Sequence, residues 1–189
     1  MARPREFDPD DALERATRLF WAKGFENTSL DDLCIATGLG RSSLYAAFGD
    51  KRALYLQALA RYEERSLARI AAAFEGRGVR AGLEAFLGAL IDDIVAGPGR
   101  RGCFIGNCAA ELARLDATAA ARVRRSLERI EAAFRVVLAK ELPAGADVEA
   151  LARFLTAGIQ GLRLVGKANP QRAGLEDIAR VMLHCVEEK

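Results

Sequence analysis

The sequence predicts an all-α protein with a three-helix N-terminal head and a six-helix C-terminal body. Along most of the chain, apolar residues recur at the three- and four-residue spacing of an amphipathic helix. Glycines, prolines and capping residues divide this pattern into nine segments, and none shows the polar and apolar alternation of a strand. Helices are therefore the expected elements throughout.

The composition is that of a folded globular protein. Of the 189 residues, 51% are hydrophobic and 29% are charged, which excludes a disordered chain. Residues 1–8 lack the apolar core of a signal peptide, and no later stretch approaches the ~20 apolar residues of a membrane span. We expect a cytoplasmic protein with no membrane partner and with four free thiols, at Cys34, Cys103, Cys108 and Cys185.

The head is predicted to contain three helices. The first runs from an N-cap at Asp8 to a stop at Gly24, with acidic residues over its positive end. The second lies between Thr28 and Gly38, where hydroxyl and acidic side chains occupy the first turn. A tight glycine turn then leads into a third helix over residues 41–48.

The body is predicted from six further segments of the same kind. The first is capped by Asp50 and is long enough to connect two bodies. The six segments cover residues 50–75, 79–95, 103–115, 117–142, 148–165 and 175–186. We place the domain boundary after residue 50, so that 1–50 form the DNA-binding head and 51–189 the ligand-binding and dimerisation body.

Two short helices joined by a glycine turn and braced by a preceding helix form a helix-turn-helix. This geometry places the second short helix in a DNA major groove. The net charge of +2 does not by itself indicate nucleic-acid binding, because residues 1–52 hold eight basic and nine acidic residues. The prediction depends on where the charges lie, and Arg3 and Arg5 form a short basic arm that could reach the backbone or the minor groove.

Residues 16–54 carry a longer pattern than helix-turn-helix spacing alone. It combines core, turn and polar positions without a gap, at Ala16, Arg18-Leu19-Phe20, Lys23-Gly24-Phe25, Thr28-Ser29-Leu30, Leu33, Gly38-Leu39, Ser43-Leu44-Tyr45, Phe48, Asp50-Lys51 and Leu54. This pattern resembles the helix-turn-helix of the TetR family. The resemblance implies a homodimeric transcriptional repressor that binds double-stranded, palindromic operator DNA and is released by a small-molecule inducer.

The resemblance and the chemistry of the side chains together assign the DNA contacts. Phosphate contacts are expected from hydroxyl and ammonium groups near helix starts, at Thr28, Tyr45 and Lys51. Base reading is expected from the outer face of the third helix, at Arg41, Ser42, Ser43 and Ala46. For Tyr45, packing in the core is the alternative.

A fragment of the body is similar to a recurrent segment in one TetR subgroup. It runs Gly102-Cys103-Phe104-Ile105-Gly106-Asn107 and is followed by Ala110-Glu111-Leu112. The family binds its inducer among the middle helices, so we expect the pocket between residues 80 and 138. The candidate lining residues are Phe86, Leu90, Cys103, Phe104, Asn107, Cys108, Glu111 and Phe134. The alternative is that these side chains form closed core.

The last two predicted helices are the candidate dimer interface. The segment 148–165 is apolar over a wide surface that needs burial on two sides, and its glycines would let another helix approach closely. We expect a four-helix interface across a two-fold axis, formed by Leu155, Gly158, Gly161, Leu162, Ile178 and Met182. The alternative is an intramolecular core.

Cys103 offers a second mode of regulation. It lies at a predicted helix start beside Arg100 and Arg101, and both features favour the thiolate. A redox or electrophile sensor acting through Cys103 is therefore the alternative function. The simpler interpretation of Cys103 and Cys108 is that both thiols are small apolar fillers, and a direct bridge between them would need the helix start to unwind.

No enzyme, cofactor or metal site is expected. The chain has one histidine, His184, and lacks both a glycine-flanked serine elbow and a phosphate-binding loop. Without further ligands nearby, His184 is expected to pack at an interface or core rim.

Overall fold

A computed structural model describes residues 7–186, and the proposed basic arm at Arg3 and Arg5 lies outside them. Within these residues the chain forms nine α-helices, one short 3-10 helix and no strand. The predicted all-α fold is confirmed. The helices are α1 (Pro9–Lys23), α2 (Leu30–Thr37), α3 (Arg41–Phe48), α4 (Lys51–Phe74), α5 (Val79–Ala96), the 3-10 helix (Pro98–Arg101), α6 (Phe104–Leu112), α7 (Ala117–Leu138), α8 (Val148–Ala168) and α9 (Arg172–His184).

Side-chain caps fix where several helices begin. Asp8 accepts a hydrogen bond from the backbone N–H of Asp10 at 2.9 Å, and Asp50 accepts one from Ala53 at 2.7 Å. Each bond satisfies an N–H group that has no partner inside its helix. Gly38 ends α2 in the left-handed conformation, with φ of +74°, which favours glycine.

Several predicted boundaries in the body are displaced by a few residues. The helix expected over 103–115 is shorter, because the carbonyl of Leu112 accepts from both Leu115 and Asp116 in a turn and the Asp116 carboxylate then caps α7. Helix α7 ends at Leu138 instead of residue 142, whereas α8 continues three residues beyond 165, and α9 begins and ends before its predicted bounds.

Helix α4 joins the head to the body because it packs against α1 on one side and against α5 and α7 on the other. Aromatic rings continue the core across this junction. The rings of Phe20 and Tyr55 meet edge to face at 5.0 Å, those of Tyr55 and Phe104 at 5.2 Å, and those of Phe104 and Tyr62 at 5.8 Å. Head and body therefore share one apolar interior.

Candidate nucleic-acid interface and internal cavity

Helix α3 has one buried face and one exposed face. Leu44 and Phe48, four residues apart, are buried against α2 and α4. The opposite side, which we call the reading face, consists of the exposed residues Arg41, Ser42, Ser43, Tyr45 and Ala46. Every residue predicted to read bases thus lies on one solvent-facing surface, at the position where a helix-turn-helix presents its second helix.

Arg41 is held by a neighbour that DNA could replace. Its guanidinium donates to the carboxylate of Asp31 at 2.6 Å, and this bond raises the pKa of Arg41. Both side chains are about two-thirds exposed, at 64% and 67%. An ion pair this open to water gains little net stability, so Arg41 can exchange Asp31 for a base edge or a phosphate.

The other two predicted contacts are the exposed Tyr45 of α3 and the half-buried Lys51 at the start of α4. The ring of Tyr45 is 45% exposed, so Tyr45 is not a core residue. Lys51 opens α4, and its ammonium lies 4.4 Å from the centre of the Phe25 ring. A cation held over an aromatic ring keeps free N–H groups on its outer side, available to a phosphate.

The structure gives the cap of α2 to Ser29. Thr28 is fully buried, and its hydroxyl donates to the carbonyl of Gly24 at 2.6 Å. Ser29 instead exchanges hydrogen bonds with Asp32, whose pKa is lowered to about 2 by its hydrogen bond from Lys23 and by those from Ser29. The Ser-x-x-Asp spacing is the sequence signal that marks Ser29. The role of Thr28 as a phosphate contact stays a prediction, and this geometry does not favour it.

Two acidic residues of α1, Glu14 and Asp10, pair with arginines of α1 and α4. Glu14 accepts from Arg18 at 2.9 Å, from Arg65 at 2.6 Å and from Arg61 at 3.2 Å, and Arg61 also contacts Asp10 at 3.1 Å. Burial raises the pKa of Glu14, but the three guanidinium groups outweigh it and the net shift is downward. The count of head charges therefore overstates how much negative charge accompanies the reading face.

A small cavity of about 20 Å³, partly open to solvent beside Arg69, lies among α4, α5, α7 and α8; we call it the internal cavity. Three of the eight predicted pocket residues line it: Phe86, Cys103 and Phe134. Three others do not, because Leu90, Phe104 and Cys108 are packed in closed core, with exposures of 1%, 0% and 0%.

The remaining two predicted pocket residues, Asn107 and Glu111, line an open cleft of about 590 Å³ between head and body. Asn107 donates to the carbonyl of Arg101 at 2.9 Å. Glu111 accepts hydrogen bonds from the backbone N–H groups of Phe25 at 3.0 Å and Glu26 at 2.8 Å. Glu111 is thus a link between the body and the turn that precedes α2.

Three of the six predicted dimer residues are buried within their own chain. Leu155 and Leu162 have no exposed surface and Met182 has 2%, because all three pack in the core of their own chain. The outward face is formed by their neighbours. Its exposed residues are Phe154 (41%), Leu164 (69%) and Val165 (44%) on α8 and Val181 (56%) on α9, with Gly161 exposed and Ile178 half-buried.

The two glycines of α8 differ in their surroundings. A Cβ built on Gly158 would lie 2.8 Å from the Cε of Met182, so Gly158 allows α8 and α9 of one chain to pack. A Cβ on Gly161 would meet nothing within 4 Å. The absence of a side chain at Gly161 is therefore not explained by packing within the chain.

All four cysteines are free. Cys103 is the N-cap residue of α6, is 7% exposed and lines the cavity. Arg101, which the sequence places beside this thiol, has its guanidinium 5.5 Å from the centre of the Trp21 ring. Burial raises the pKa of the Cys108 thiol, an effect that the neighbouring Tyr55 hydroxyl only partly opposes. Cys108 therefore has the character of a core residue.

An exposed reading helix carried by a head that shares its core with a helical body defines a DNA-binding regulator. Two family models match the chain: that of the bacterial regulatory proteins of the tetR family over residues 12–58, and that of the tetracyclin repressor-like C-terminal domain over residues 79–182. The chain belongs to the TetR family. Because this family consists of regulatory DNA-binding proteins, its membership supports the expectation that the chain is not an enzyme.

Relatives match over nearly the whole chain. The HTH-type transcriptional repressor ComR of Escherichia coli (strain K12) is 33% identical over 190 residues, covering 96% of this chain and 90% of that protein. The uncharacterized HTH-type transcriptional regulator YezE of Bacillus subtilis (strain 168) is 31% identical over 198 residues, covering 99% and 100%.

A solved structure shares the fold closely. It is a cysteine-substituted variant of the TetR family transcriptional regulator CifR, complexed with 26-base-pair double-strand operator DNA. It has a TM-score of 0.82 and 29% identity, and the match covers 97% of this chain and 98% of that one. No helix within residues 7–186 is long and apolar enough to cross a bilayer.

Proposed function

We propose that this protein is a homodimeric transcriptional repressor that binds a palindromic operator through its reading face and releases it when a small molecule enters the body. Its DNA partner implies action in the cytoplasm. Residues 1–50 are the proposed DNA-binding domain and residues 51–189 the ligand-binding and dimerisation domain, with α4 packed against both.

The exposed reading face supports DNA binding, and the CifR variant was solved on operator DNA with the same fold. Two heads related by a two-fold axis require two inverted half-sites. DNA selected from a random pool is therefore expected to contain a near-palindrome. That fragment is the operator probe for the binding experiments on this protein.

Arg41→Ala and Lys51→Ala are expected to weaken operator binding in different ways. Lys51→Ala should weaken all sequences alike and lower the slope of log affinity against log salt by about 0.9 for each phosphate that is no longer neutralised. Arg41→Ala should cost roughly ten- to hundredfold on the selected site and relax preference at particular bases. Fluorescence anisotropy over a salt series, with Arg15→Ala as an exposed control on α1, measures both. An Arg41→Ala protein with unchanged affinity and base preference would exclude Arg41 as a reader.

Helix α6 is the proposed connection between the ligand cavity and the DNA-binding head. Its N-cap, Cys103, lines the internal cavity, and its last turn holds Glu111, which binds the backbone of Phe25 and Glu26 in the head. A second bond runs from the indole N–H of Trp21 to the carbonyl of Gly102 at 3.1 Å. A ligand that shifts α6 would therefore move two attachment points of the head.

Glu111→Ala is expected to loosen the turn before α2 without unfolding the head. Each backbone N–H that loses a charged acceptor forfeits a bond worth about 1.5–3 kcal/mol. Hydrogen exchange at the amides of Phe25 and Glu26 should accelerate at least tenfold, while α3 keeps its protection. Glu128→Ala, an exposed position on α7, is the control. Unchanged exchange at both amides would show that α6 is not the link.

The outward apolar face of α8 and α9 supports dimerisation. Phe154, Leu164, Val165 and Val181 together present large side chains that the chain itself leaves in water. Operator recognition by two heads needs a two-fold partner, and this face is available to supply it.

Regulation through Cys103 is the second candidate, because its thiol lines the cavity beside Tyr62. In that case a covalent reagent replaces a reversible ligand. Alkylation that releases operator DNA from the wild type but not from Cys103→Ser would favour the thiol sensor. Release by a non-reactive compound would favour the ligand-responsive repressor.

A further inference from the structure

The internal cavity has an unusual charge distribution. Its lining includes two guanidinium groups, Arg69 and Arg163, and contains no aspartate or glutamate. Arg69 lies 2.7 Å from the carboxylate of Asp93 and is 44% exposed. Its charge is therefore already paired and hydrated, which leaves Arg163 as the distinctive group.

Arg163 is a buried cation with one hydrogen-bond partner among the described residues. It is 7% exposed, and its Nη1 donates to the hydroxyl of Tyr62 at 3.2 Å. Within residues 7–186, no carboxylate lies within ion-pair distance of it. A guanidinium has five N–H donors, so most of its hydrogen-bonding capacity is unused by the protein.

Such a cation is costly to bury unless an anion or several acceptors compensate it. Among the described residues, the other buried charged side chain follows the rule, because Glu63 is fully buried and faces Arg122 and Arg129. Arg163 has no such counter-ion among residues 7–186, and it lines the cavity. The geometry therefore provides half of an ion pair and room for the other half.

The remaining polar groups of the cavity suit an oxygen anion. Burial raises the pKa of Tyr62, so its hydroxyl stays protonated. It accepts from Arg163 and lies beside the Cys103 thiol, and an entering oxygen would compete with that thiol for its proton. Gln160 adds an amide to the lining, whereas the hydroxyl of Ser66 already donates to the carbonyl of Tyr62 at 2.9 Å.

We propose that the cavity binds a small monocarboxylate, with the carboxylate on Arg163 and Tyr62 and a short apolar tail toward Phe86 and Phe134. This inference rests on the proposed ligand response and names the class of ligand. A bidentate fit to guanidinium favours a carboxylate over a halide. One unpaired cation favours a single negative charge.

The cavity size and its apolar walls argue for a short tail. Its volume of about 20 Å³ exceeds the ~10–15 Å³ that a single water needs, so there is room for a headgroup and little more without movement. Beyond the polar groups, the wall is apolar, with contributions from Ile70, Phe86, Ile130, Phe134 and Ile159. A longer tail has to displace these side chains.

The test compares straight-chain acids with their neutral amides, from acetate and acetamide to hexanoate and hexanamide. Calorimetric titration of the full chain should give each bound acid a dissociation constant at least tenfold lower than that of its amide. Arg163→Leu should remove this difference while leaving amide binding unchanged. Because the substitution also removes an uncompensated buried charge, the variant is expected to fold. Arg163→Lys retains the charge, and should retain a preference for acids in a weaker form.

Any of three results would overturn the inference. The amides could bind as tightly as their acids, the acids could fail to bind, or the acids could bind Arg163→Leu as tightly as the wild type. Operator release, measured on the same samples, separates this inference from the proposed function. If neutral compounds release DNA and acids do not, the ligand-responsive repressor stands and the carboxylate site fails. If acids bind through Arg163 but DNA stays bound, the site stands and ligand-controlled release by these acids fails.

Discussion

Replacing Glu63 with alanine is expected to lower the free energy of unfolding by about 3–5 kcal/mol, because it removes a buried carboxylate that pairs with Arg122 and Arg129 and so breaks the cluster from one side. The Glu63 carboxylate is fully buried and accepts from Arg122 at 2.7 Å, from Arg129 and from the hydroxyl of Ser126. Arg122 is only 18% exposed, so water can replace only part of the bond that it loses. The cluster joins the middle of α4 to α7.

Chemical denaturation and thermal melting at one fixed protein concentration measure the effect. For a chain of this length the expected loss corresponds to a fall in Tm of roughly 6–20 °C. Glu64→Ala is the matched control, since Glu64 is the next residue on α4 and is exposed; its effect should stay within about 0.5 kcal/mol. A Glu63→Ala protein as stable as Glu64→Ala would show that the cluster does not stabilise the fold.

Local chemistry made the head predictable. Asp8, Gly24, Gly38 and Asp50 act within one helical turn of themselves, so the sequence around each one contains the whole cause. Which of two neighbouring hydroxyl residues caps α2 could not be predicted from such local sequence. Thr28 precedes Ser29, and only the packing that buries Thr28 against the end of α1 gives the cap to Ser29.

Orientation in the body was harder to predict, because α8 is apolar on more than one side. Helical spacing shows that such a helix has two apolar surfaces, but it does not show which one faces its own core. Leu155 and Leu162 proved to face inward, and the residues next to them, Phe154 and Leu164, outward. The inward surface of α8 is the one that packs against α7 and α9, and the positions of these two helices depend on the whole fold.

The cavity was the feature that the sequence predicted least well. Arg163 and Tyr62 are separated by 101 positions in the sequence, and neither belongs to a motif. An arginine in an amphipathic helix ordinarily marks a solvated face. Its burial follows from the way α4, α5, α7 and α8 meet around the cavity, which no spacing within one helix encodes.

Gly161→Glu is expected to split the proposed dimer and to reduce operator affinity at least hundredfold. Gly161 lies between Phe154 and Leu164 on the outward face of α8, and its Cβ position is open in the single chain. A glutamate there would therefore be tolerated by the folded chain but would place a charge in the centre of an apolar interface. Losing the second head leaves one half-site bound instead of two linked half-sites, which costs roughly 10²–10⁴ in affinity.

Sedimentation separates this prediction from simple misfolding. The wild type at micromolar concentration should have about twice the 20.5 kDa mass of the chain. Gly161→Glu should have the 20.5 kDa mass of a single chain, with the same helical content. Ala85→Glu, an exposed position on α5, is the control and should remain dimeric. Gly158→Ala should also remain dimeric, because its added methyl group meets the flexible end of Met182 within the same chain. A monomeric wild type, or a Gly161→Glu protein that stays dimeric and keeps its operator affinity, would place the interface elsewhere.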